Sequence, residues 1–161
     1  MKKFILMLML LAPMTMMAQK FGKVNTQAIM QSMPEVSKAN GELEAQQKQY
    51  ANDLQAMQNE LQRKSEEYQK NQSTMNATKQ KETETELQNM YNKIQQTYQD
   101  NQKALQDKSN ELMQPILTKV RNAINAVGQA GGYTYIFEEG AAIFTGANVK
   151  DVTAEVQAKL K

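Results

Sequence analysis

The sequence predicts an α+β protein that is mostly helical, in which a long antiparallel helical hairpin joins a small β-body. Residues 36–127 contain a single glycine, Gly41, and a single proline, Pro115, so they favour helix almost throughout. Large apolar residues recur along this stretch at heptad-like spacing. Short aromatic and β-branched runs lie nearer the two ends of the chain. We therefore assign residues 36–127 to the hairpin and residues 19–35 and 128–161 to the β-body.

Two rows of large apolar residues define the first arm of the hairpin. The rows are Val36, Leu43, Tyr50 and Met57, and then Leu54, Leu61, Tyr68 and Met75. Together they advance in steps of four and three residues, which keeps the side chains along one narrow seam of a helix. Between Gln69 and Glu86, Met75 is the only large apolar residue, and the pattern resumes at Leu87. Two periodic arms around a polar stretch predict an antiparallel coiled coil with its tip at about residues 72–80.

The ends of the two helices follow from local signals. We expect the first helix to end near Met75, the chain to reverse at residues 76–78, and the second helix to begin near Lys81. The apolar stripe broadens after Leu112, which predicts packing against more than one neighbour at that end. Pro115 predicts a kink, and the glycines from Gly128 onward end the helix.

The narrow seam also predicts which residues of the two arms face one another. An antiparallel alignment sets Leu43 against Leu112 and Leu61 against Ile94. Further along, the same register sets Tyr50 against Leu105, Met57 against Tyr98 and Tyr68 against Leu87. It leaves two mixed layers, Leu54 opposite Asn101 and Lys64 opposite Tyr91.

The β-body segments predict short strands and short helices. The strands are residues 21–25, 133–138 and 141–145, with the last two joined as a hairpin through a turn at Glu139-Gly140. A brief helix is predicted at residues 28–33, and a final helix begins at Asp151 with Val152, Val156 and Leu160 on one face. Three short strands leave open edges and little core, so we expect copies of the chain to associate through this body.

The N-terminal segment, residues 1–18, has the pattern of a secretory signal peptide cleaved near Ala18. Lys2 and Lys3 precede an apolar run at residues 4–11 that is too short to span a bilayer. A plain membrane anchor is the alternative, and the shortness of the run disfavours it. No cysteine follows the apolar run, which excludes a lipoprotein. The segment predicts export to the periplasm, and a chain with Cys 0 forms no disulfides there.

The composition argues against an enzyme and against nucleic-acid binding. The chain has no His and no Cys, and no glycine-rich loop leads from a strand into a helix as in phosphate-binding sites. We therefore expect no catalytic residues, no metal and no cofactor. The chain has 19 basic and 17 acidic residues, and two of the lysines belong to the predicted signal, so the exported part is formally neutral. A nucleic-acid partner needs a basic surface, which is missing.

The longest recognisable motif is the C-terminal run at residues 135–156. It reads Tyr-Ile-Phe-Glu-Glu-Gly-Ala-Ala-Ile-Phe-Thr-Gly-Ala-Asn-Val-Lys-Asp-Val-Thr-Ala-Glu-Val. This run resembles the strand, turn, second strand and helix start of the Skp family, also called OmpH. Lys23-Val24-Asn25 is similar to the family's first strand, and Asp53-Leu54-Gln55 and Glu60-Leu61-Gln62 are similar to its repeated acidic-Leu-Gln units. The resemblance covers nearly the whole exported chain.

The resemblance implies a periplasmic chaperone for outer-membrane proteins. In that family three chains pool their strands into a β-body, and three helical hairpins surround a cavity that holds unfolded outer-membrane polypeptides without ATP. Members of the family are often markedly basic. This chain departs from them, because residues 36–111 hold ten basic and twelve acidic residues. The neutral balance argues against a lipopolysaccharide or membrane-surface partner.

Two sets of candidate residues follow. The trimer would form through aromatic and aliphatic residues of the β-body: Phe21, Val24, Tyr133, Tyr135, Ile136, Phe137, Ile143 and Phe144. The alternation within 133–137 places Tyr133, Tyr135 and Phe137 on one face and Ile136 on the other. Clients would be held by soft apolar residues in the outer half of the arms: Tyr68, Met75, Met90 and Tyr91. The alternative function is a structural coiled-coil spacer of the cell envelope, in which these residues only complete the seam.

Overall fold

The computed structural model describes residues 19–161, so the predicted signal peptide lies outside the described residues. The elements are β1 (Phe21–Val24), α1 (Thr26–Gln31), α2 (Pro34–Asn71), a 3₁₀ turn (Gln72–Thr74), α3 (Ala77–Gly131), β2 (Tyr135–Glu138), β3 (Lys150–Asp151) and α4 (Thr153–Leu160). Two compact units divide them: a β unit of residues 19–29 and Asn122–Lys161, and a helical unit, Met30–Arg121. None of the helices in residues 19–161 is long and apolar enough to cross a membrane.

The sheet of the β unit is parallel, which the sequence pattern did not predict. β1 lies in the middle, with β2 on one side and β3 on the other. Phe21 pairs with Tyr135 and Gly22 with Lys150. The predicted hairpin partner at residues 141–145 is wrong, because that segment forms no strand. Its apolar pattern is typical of a strand, but within this chain the N-terminal β1 takes the place beside β2.

The turn after β2 is as predicted, although no strand follows it. The Ala141 N–H donates to the Glu138 carbonyl, and Gly140 has φ +84°, a backbone conformation that favours glycine. Ile143 and Phe144 follow in an exposed segment, with relative exposures of 110% and 84%. The chain then reaches β3 and α4. Thr153 donates through its backbone N–H and its hydroxyl to Asp151 Oδ1, at 2.9 and 2.6 Å.

One face of the sheet packs on the core of the β unit. Val24 is 3% exposed, and Ile29, Val152 and Val156 are completely buried. Ala123 and Val127 of α3 are also buried in this unit. Ile136 points to the same side, since a Cβ added at Gly128 would lie 3.4 Å from Ile136 Cδ1. Burial of this small apolar cluster is the main stabilising contribution within the unit.

The opposite face of the sheet carries three stacked aromatic rings that remain exposed. The ring centroids of Phe21, Tyr135 and Phe137 lie 5.7 to 6.3 Å apart. Tyr135 is 58% exposed and Phe137 is 46% exposed. The predicted alternation is confirmed for Tyr135, Ile136 and Phe137. An apolar patch of this kind on a protein surface marks an interaction site.

Tyr133 does not lie on the aromatic face, so that part of the prediction is wrong. The strand begins only at Tyr135, and the alternation therefore does not extend back to residue 133. The Tyr133 ring packs over Gly22 and Gly131, where an added Cβ would lie 3.1 and 2.4 Å from it. The Lys20 ammonium lies 4.3 Å from the centre of the same ring.

Hydrogen bonds of Asn25, which follows β1, link it to α1, to the turn after β2 and to the start of α4. Its Oδ1 accepts from the Ala28 N–H at 2.7 Å and so caps α1. Its Nδ2 donates to Glu139 at 2.8 Å, and its backbone N–H donates to the Thr153 hydroxyl at 2.9 Å. Lys23 also binds Glu139, with 2.5 Å between Nζ and Oε1. Glu139 therefore belongs to the fold, and hydrogen bonds from Lys23 and then Asn25 hold the pKa of its carboxyl below the ordinary range.

The helical unit is an antiparallel hairpin of α2 and the first part of α3. α2 ends at Asn71, four residues before the predicted end, and α3 starts at Ala77 rather than near Lys81. α3 continues without interruption through Pro115. At the tip, the Gln80 side chain donates to the carbonyls of Gln72 and Met75, at 2.9 and 3.1 Å. The turn contains no glycine or proline, and these hydrogen bonds stabilise it instead.

The predicted register holds near the open end of the hairpin and shifts toward the tip. Lys119 contacts Glu35, within one residue of the predicted alignment. Tyr68, however, donates to Glu84 at 2.6 Å, three residues before its predicted partner Leu87. Lys64 contacts Glu86 instead of Tyr91, which is a difference of five residues. The outer half is therefore offset by about one helical turn.

Glycine substitutions at two helical positions should have opposite effects. We expect Gly131→Ala to lower the free energy of unfolding by about 1 to 3 kcal/mol, because the new methyl group would overlap the Tyr133 ring. Gly41→Ala should raise it by about 0.5 to 1 kcal/mol, because the site is open and alanine favours helix. Urea unfolding at one protein concentration measures both. Equal stability of the two variants would contradict the packing of Tyr133 on Gly131.

Candidate functional site

Two open grooves run along the outer half of the hairpin, and we regard them as the candidate site. The methionine groove has a volume of about 430 Å³ and is lined by Met57, Glu82, Thr85, Glu86, Asn89, Met90, Lys93 and Ile94. The tyrosine groove has a volume of about 610 Å³ and is lined by Gln58, Leu61, Gln62, Ser65, Glu66, Gln69, Glu84, Leu87, Gln88 and Tyr91. Each groove has an apolar floor and a polar rim.

Helix periodicity explains why there are two grooves. In α3 the residues Glu82, Glu86 and Lys93 share one side, and Glu84, Gln88 and Tyr91 share the opposite side. α2 closes each groove from the facing helix, with Met57 in one and Leu61 in the other. The seam between the helices is too narrow to cover these apolar side chains completely. The grooves are therefore the two flanks of a thin coiled coil.

The four predicted client-binding residues fall into four different places: the two grooves, the tip and the seam. Met90 lines the methionine groove, and Tyr91, which is 52% exposed, lines the tyrosine groove. Met75 follows the 3₁₀ turn at the tip and lines neither groove. Tyr68 is buried in the seam at 9% exposure. Its hydroxyl donates to Glu84 and accepts from Gln72 at 3.1 Å, so Tyr68 stabilises the outer hairpin.

Sequence reasoning missed Met57 and Leu61 as groove residues. Both lie on heptad rows and were therefore assigned to the interior of the seam. Met57 is only partly buried, because the shifted register brings it beside Met90 and Ile94 in the methionine groove. The only signal in the sequence is chemical. Methionine is flexible and polarisable, and it is common on surfaces that bind many partners.

An ion pair that joins the two helices closes the hairpin near these grooves. Lys64 of α2 binds Glu86 of α3. The hydrogen bond from Lys64 lowers the pKa of the Glu86 carboxyl, and the same contact raises the pKa of Lys64. Both side chains are substantially exposed, so the pair contributes little to stability. The pair links α2 to α3 beside the methionine groove.

The predicted mixed layer at Asn101 carries an unsatisfied polar atom. Its Nδ2 is buried and has no hydrogen-bond partner among residues 19–161. An unpaired amide in a seam costs stability, and it opposes close packing of that layer. No cluster of three or more acidic side chains that fits a metal ion occurs in residues 19–161. The site therefore consists of soft apolar grooves with amide and charged rims.

These features define a class of protein. It has a helical hairpin with exposed grooves, and the two ends of its chain form a small parallel sheet. A family model described as Outer membrane protein (OmpH-like) matches residues 20–160. The chain therefore belongs to the OmpH-like family.

Relatives with curated names agree with this assignment. The Chaperone protein Skp of Pectobacterium atrosepticum is 31% identical over 144 residues, which cover 89% of this chain and 87% of that protein. The Chaperone protein Skp of Yersinia enterocolitica is 30% identical over 154 residues, which cover 96% of this chain and 93% of that protein. The functional class of this chain, as of these relatives, is that of a chaperone.

A solved structure supports the fold independently. The crystal structure of a Caulobacter crescentus protein described as an outer membrane chaperone (OmpH-like) matches with a TM-score of 0.77 at 16% identity. The match covers 88% of this chain and 83% of that chain. At this level of identity the likeness shows the fold.

The Lys64–Glu86 pair gives the hairpin a pH dependence of known sign. The pKa of Glu86 is lower in the folded chain than its ordinary value of 4.5, so the pair stabilises the fold above that value and is lost as the pH falls through the lowered pKa. Between about pH 5 and pH 3, the melting temperature of the wild type should fall more steeply than that of Glu86→Gln. Glu44→Gln is the matched control, since Glu44 forms no ion pair within residues 19–161. Parallel pH profiles for wild type and Glu86→Gln would contradict this role.

Proposed function

We propose that this protein is a periplasmic holdase that binds unfolded outer-membrane proteins without ATP and prevents their aggregation. The observation that carries the proposal is the pair of open grooves with partly exposed Met, Leu and Tyr side chains. Many sequences bind weakly to such a surface, because soft side chains adapt to different partners.

The grooves also separate this proposal from a spacer without a client. A spacer gains nothing from leaving aromatic side chains in water, yet Tyr91 and Tyr98 are 52% and 53% exposed. The rims add hydrogen-bonding groups on both sides of the apolar floor, for example Asn89 and Gln88. An unfolded polypeptide offers both apolar side chains and unpaired backbone groups, so it is complementary to this combination.

Suppression of client aggregation tests the holdase proposal directly. An unfolded β-barrel protein is diluted with and without the exported chain, and light scattering follows its aggregation. We expect wild type to suppress scattering and Met57→Ser/Met90→Ser to need about fivefold more protein for half suppression, because two apolar contacts are lost. Met113→Ser is the matched control. Met113 is partly exposed and lies in α3, like Met90, but it lines neither groove. Unchanged scattering with wild type would favour the spacer.

The charge balance predicts the salt dependence of the same assay. Residues 19–161 carry 17 basic and 17 acidic residues, so net charge provides little long-range attraction. Half suppression should therefore need nearly the same protein concentration at about 20 and about 200 mM salt. A steep loss of suppression with salt, together with an unaffected double-serine variant, would show that charge holds the client.

We further propose that the protein works as a homotrimer assembled through the β unit. The support is the exposed aromatic face of Phe21, Tyr135 and Phe137, with Ile143 and Phe144 in the neighbouring exposed segment. A monomer leaves this apolar surface in water, and an isolated sheet of this size has open edges. Val24 is buried within its own chain, whereas Ile136, on the same side of the sheet, is only half-buried. Client polypeptide would then be held between the hairpins of three copies.

Sedimentation equilibrium at micromolar concentration tests the assembly. We expect wild type to sediment as a trimer and Tyr135→Ser/Phe137→Ser to shift toward monomer, because the exposed rings leave the interface. Tyr98→Ser removes an equally exposed ring from α3 and should leave the mass unchanged. A wild-type chain that stays monomeric would refute the interface.

A further inference from the structure

Two of the chain's thioether side chains line the methionine groove, where they are partly exposed. The chain has Cys 0, so thioethers are its only sulfur groups. Six of its methionines lie in residues 19–161: Met30, Met33, Met57, Met75, Met90 and Met113. Of these, only Met57 and Met90 line a common groove, one from each helix of the hairpin. Both are partly exposed, as are Met30, Met75 and Met113, whereas Met33 is 4% exposed.

We propose that Met57 and Met90 form a paired oxidation site that switches the methionine groove from client-binding to non-binding. This inference rests on the proposed function, because its consequence is a change in client capture. A peroxide supplies the oxygen: the thioether sulfur attacks one peroxide oxygen, the O–O bond breaks, and a sulfoxide and water (or an alcohol) are formed. Sulfur is oxidised by two electrons, and the peroxide is reduced by two.

The chemistry of the groove explains why oxidation would change binding. A sulfoxide is polar and chiral, and it disrupts surfaces that depend on the soft apolar character of methionine. In the methionine groove, Met57 and Met90 accompany a single large aliphatic residue, Ile94. Conversion of both methionines therefore changes most of the apolar floor. The charged rim, Glu82, Glu86 and Lys93, remains as it was.

The second groove provides an internal comparison. Its apolar residues are Leu61, Leu87 and Tyr91, and it contains no sulfur. Mild peroxide leaves these side chains unchanged, because thioethers are the residues of this chain that it oxidises. The two flanks of one hairpin therefore differ in their response to an oxidant. Capture should fall to the level that the tyrosine groove sustains.

Peptide mass spectrometry of the full chain tests the site itself. During treatment with dilute hydrogen peroxide, Met57 and Met90 should gain one oxygen each well before Met33, because Met33 is buried. Equal rates at all three residues, or faster oxidation at Met33, would overturn the assignment of Met57 and Met90 as an accessible site.

The aggregation assay with oxidised protein tests the consequence. Half suppression by wild type should need about tenfold more protein once both sulfoxides have formed. Met57→Leu/Met90→Leu removes both sulfur atoms and keeps the apolar volume, so the protein concentration that it needs for half suppression should be the same before and after treatment. Met113→Leu is the matched control and should lose capture as wild type does.

Each of the other possible results counts against either the switch or the proposed function. Undiminished capture by protein with verified sulfoxides at both positions overturns the switch. An equal loss in the double-leucine variant also overturns it, because another methionine would then be responsible. Failure of untreated wild type to suppress aggregation counts against the proposed function, and it is separated from failure of the switch because it occurs before any oxidant is added.

Discussion

The fold of the β unit depends on one strand of four residues. β1 lies between β2 and β3, and both of its edges are paired. It follows that β2 and β3 do not pair with each other, and that within residues 19–161 the strand pairing of each is with β1. The N–H groups of Glu139 and Val152 extend the pairing by donating to the carbonyls of Val24 and Lys23. Without β1, β2 and β3 would lose the strand with which both pair, and the aromatic face would lose Phe21.

The helical unit depends on a weaker and more repetitive interaction. Its seam is one side chain wide, and its buried residues are few: Met33, Ala39, Tyr68, Ile94, Ile116 and Val120. Stability is therefore spread thinly along α2 and the facing part of α3. The same thinness leaves Met90 and Tyr91 in the grooves. A wider apolar interface would make a stronger hairpin, and it would also cover the surface that a chaperone needs for its clients.

The sequence was sufficient for the two long helices and for β1 and β2, and it was insufficient for β3 and for the pairing of the elements. Periodicity located both long helices, because a spacing of four and three residues repeated over many turns matches the helical period and no strand period. It did not fix the register, since apolar layers shifted by one turn are nearly as good, and contacts such as Tyr68–Glu84 decide between them. The strand partner of β2 was missed for a related reason. The pattern of residues 141–145 reports a preference for extended backbone, whereas pairing depends on a strand more than a hundred residues away along the chain.

The order of strands has a consequence for the order in which the chain can fold. β1 is made near the beginning, but the residues that pair with it, Tyr135–Glu138 and Lys150–Asp151, come near the end. Closing this sheet brings together segments separated by almost the whole chain, which is entropically costly and slow. α2 and the first part of α3 have only local and hairpin contacts, so they can pair as soon as both have emerged. The apolar side of β1 therefore stays uncovered until the last residues of the chain are available. During that interval the folding chain exposes apolar surface of the kind that it later shields in other proteins.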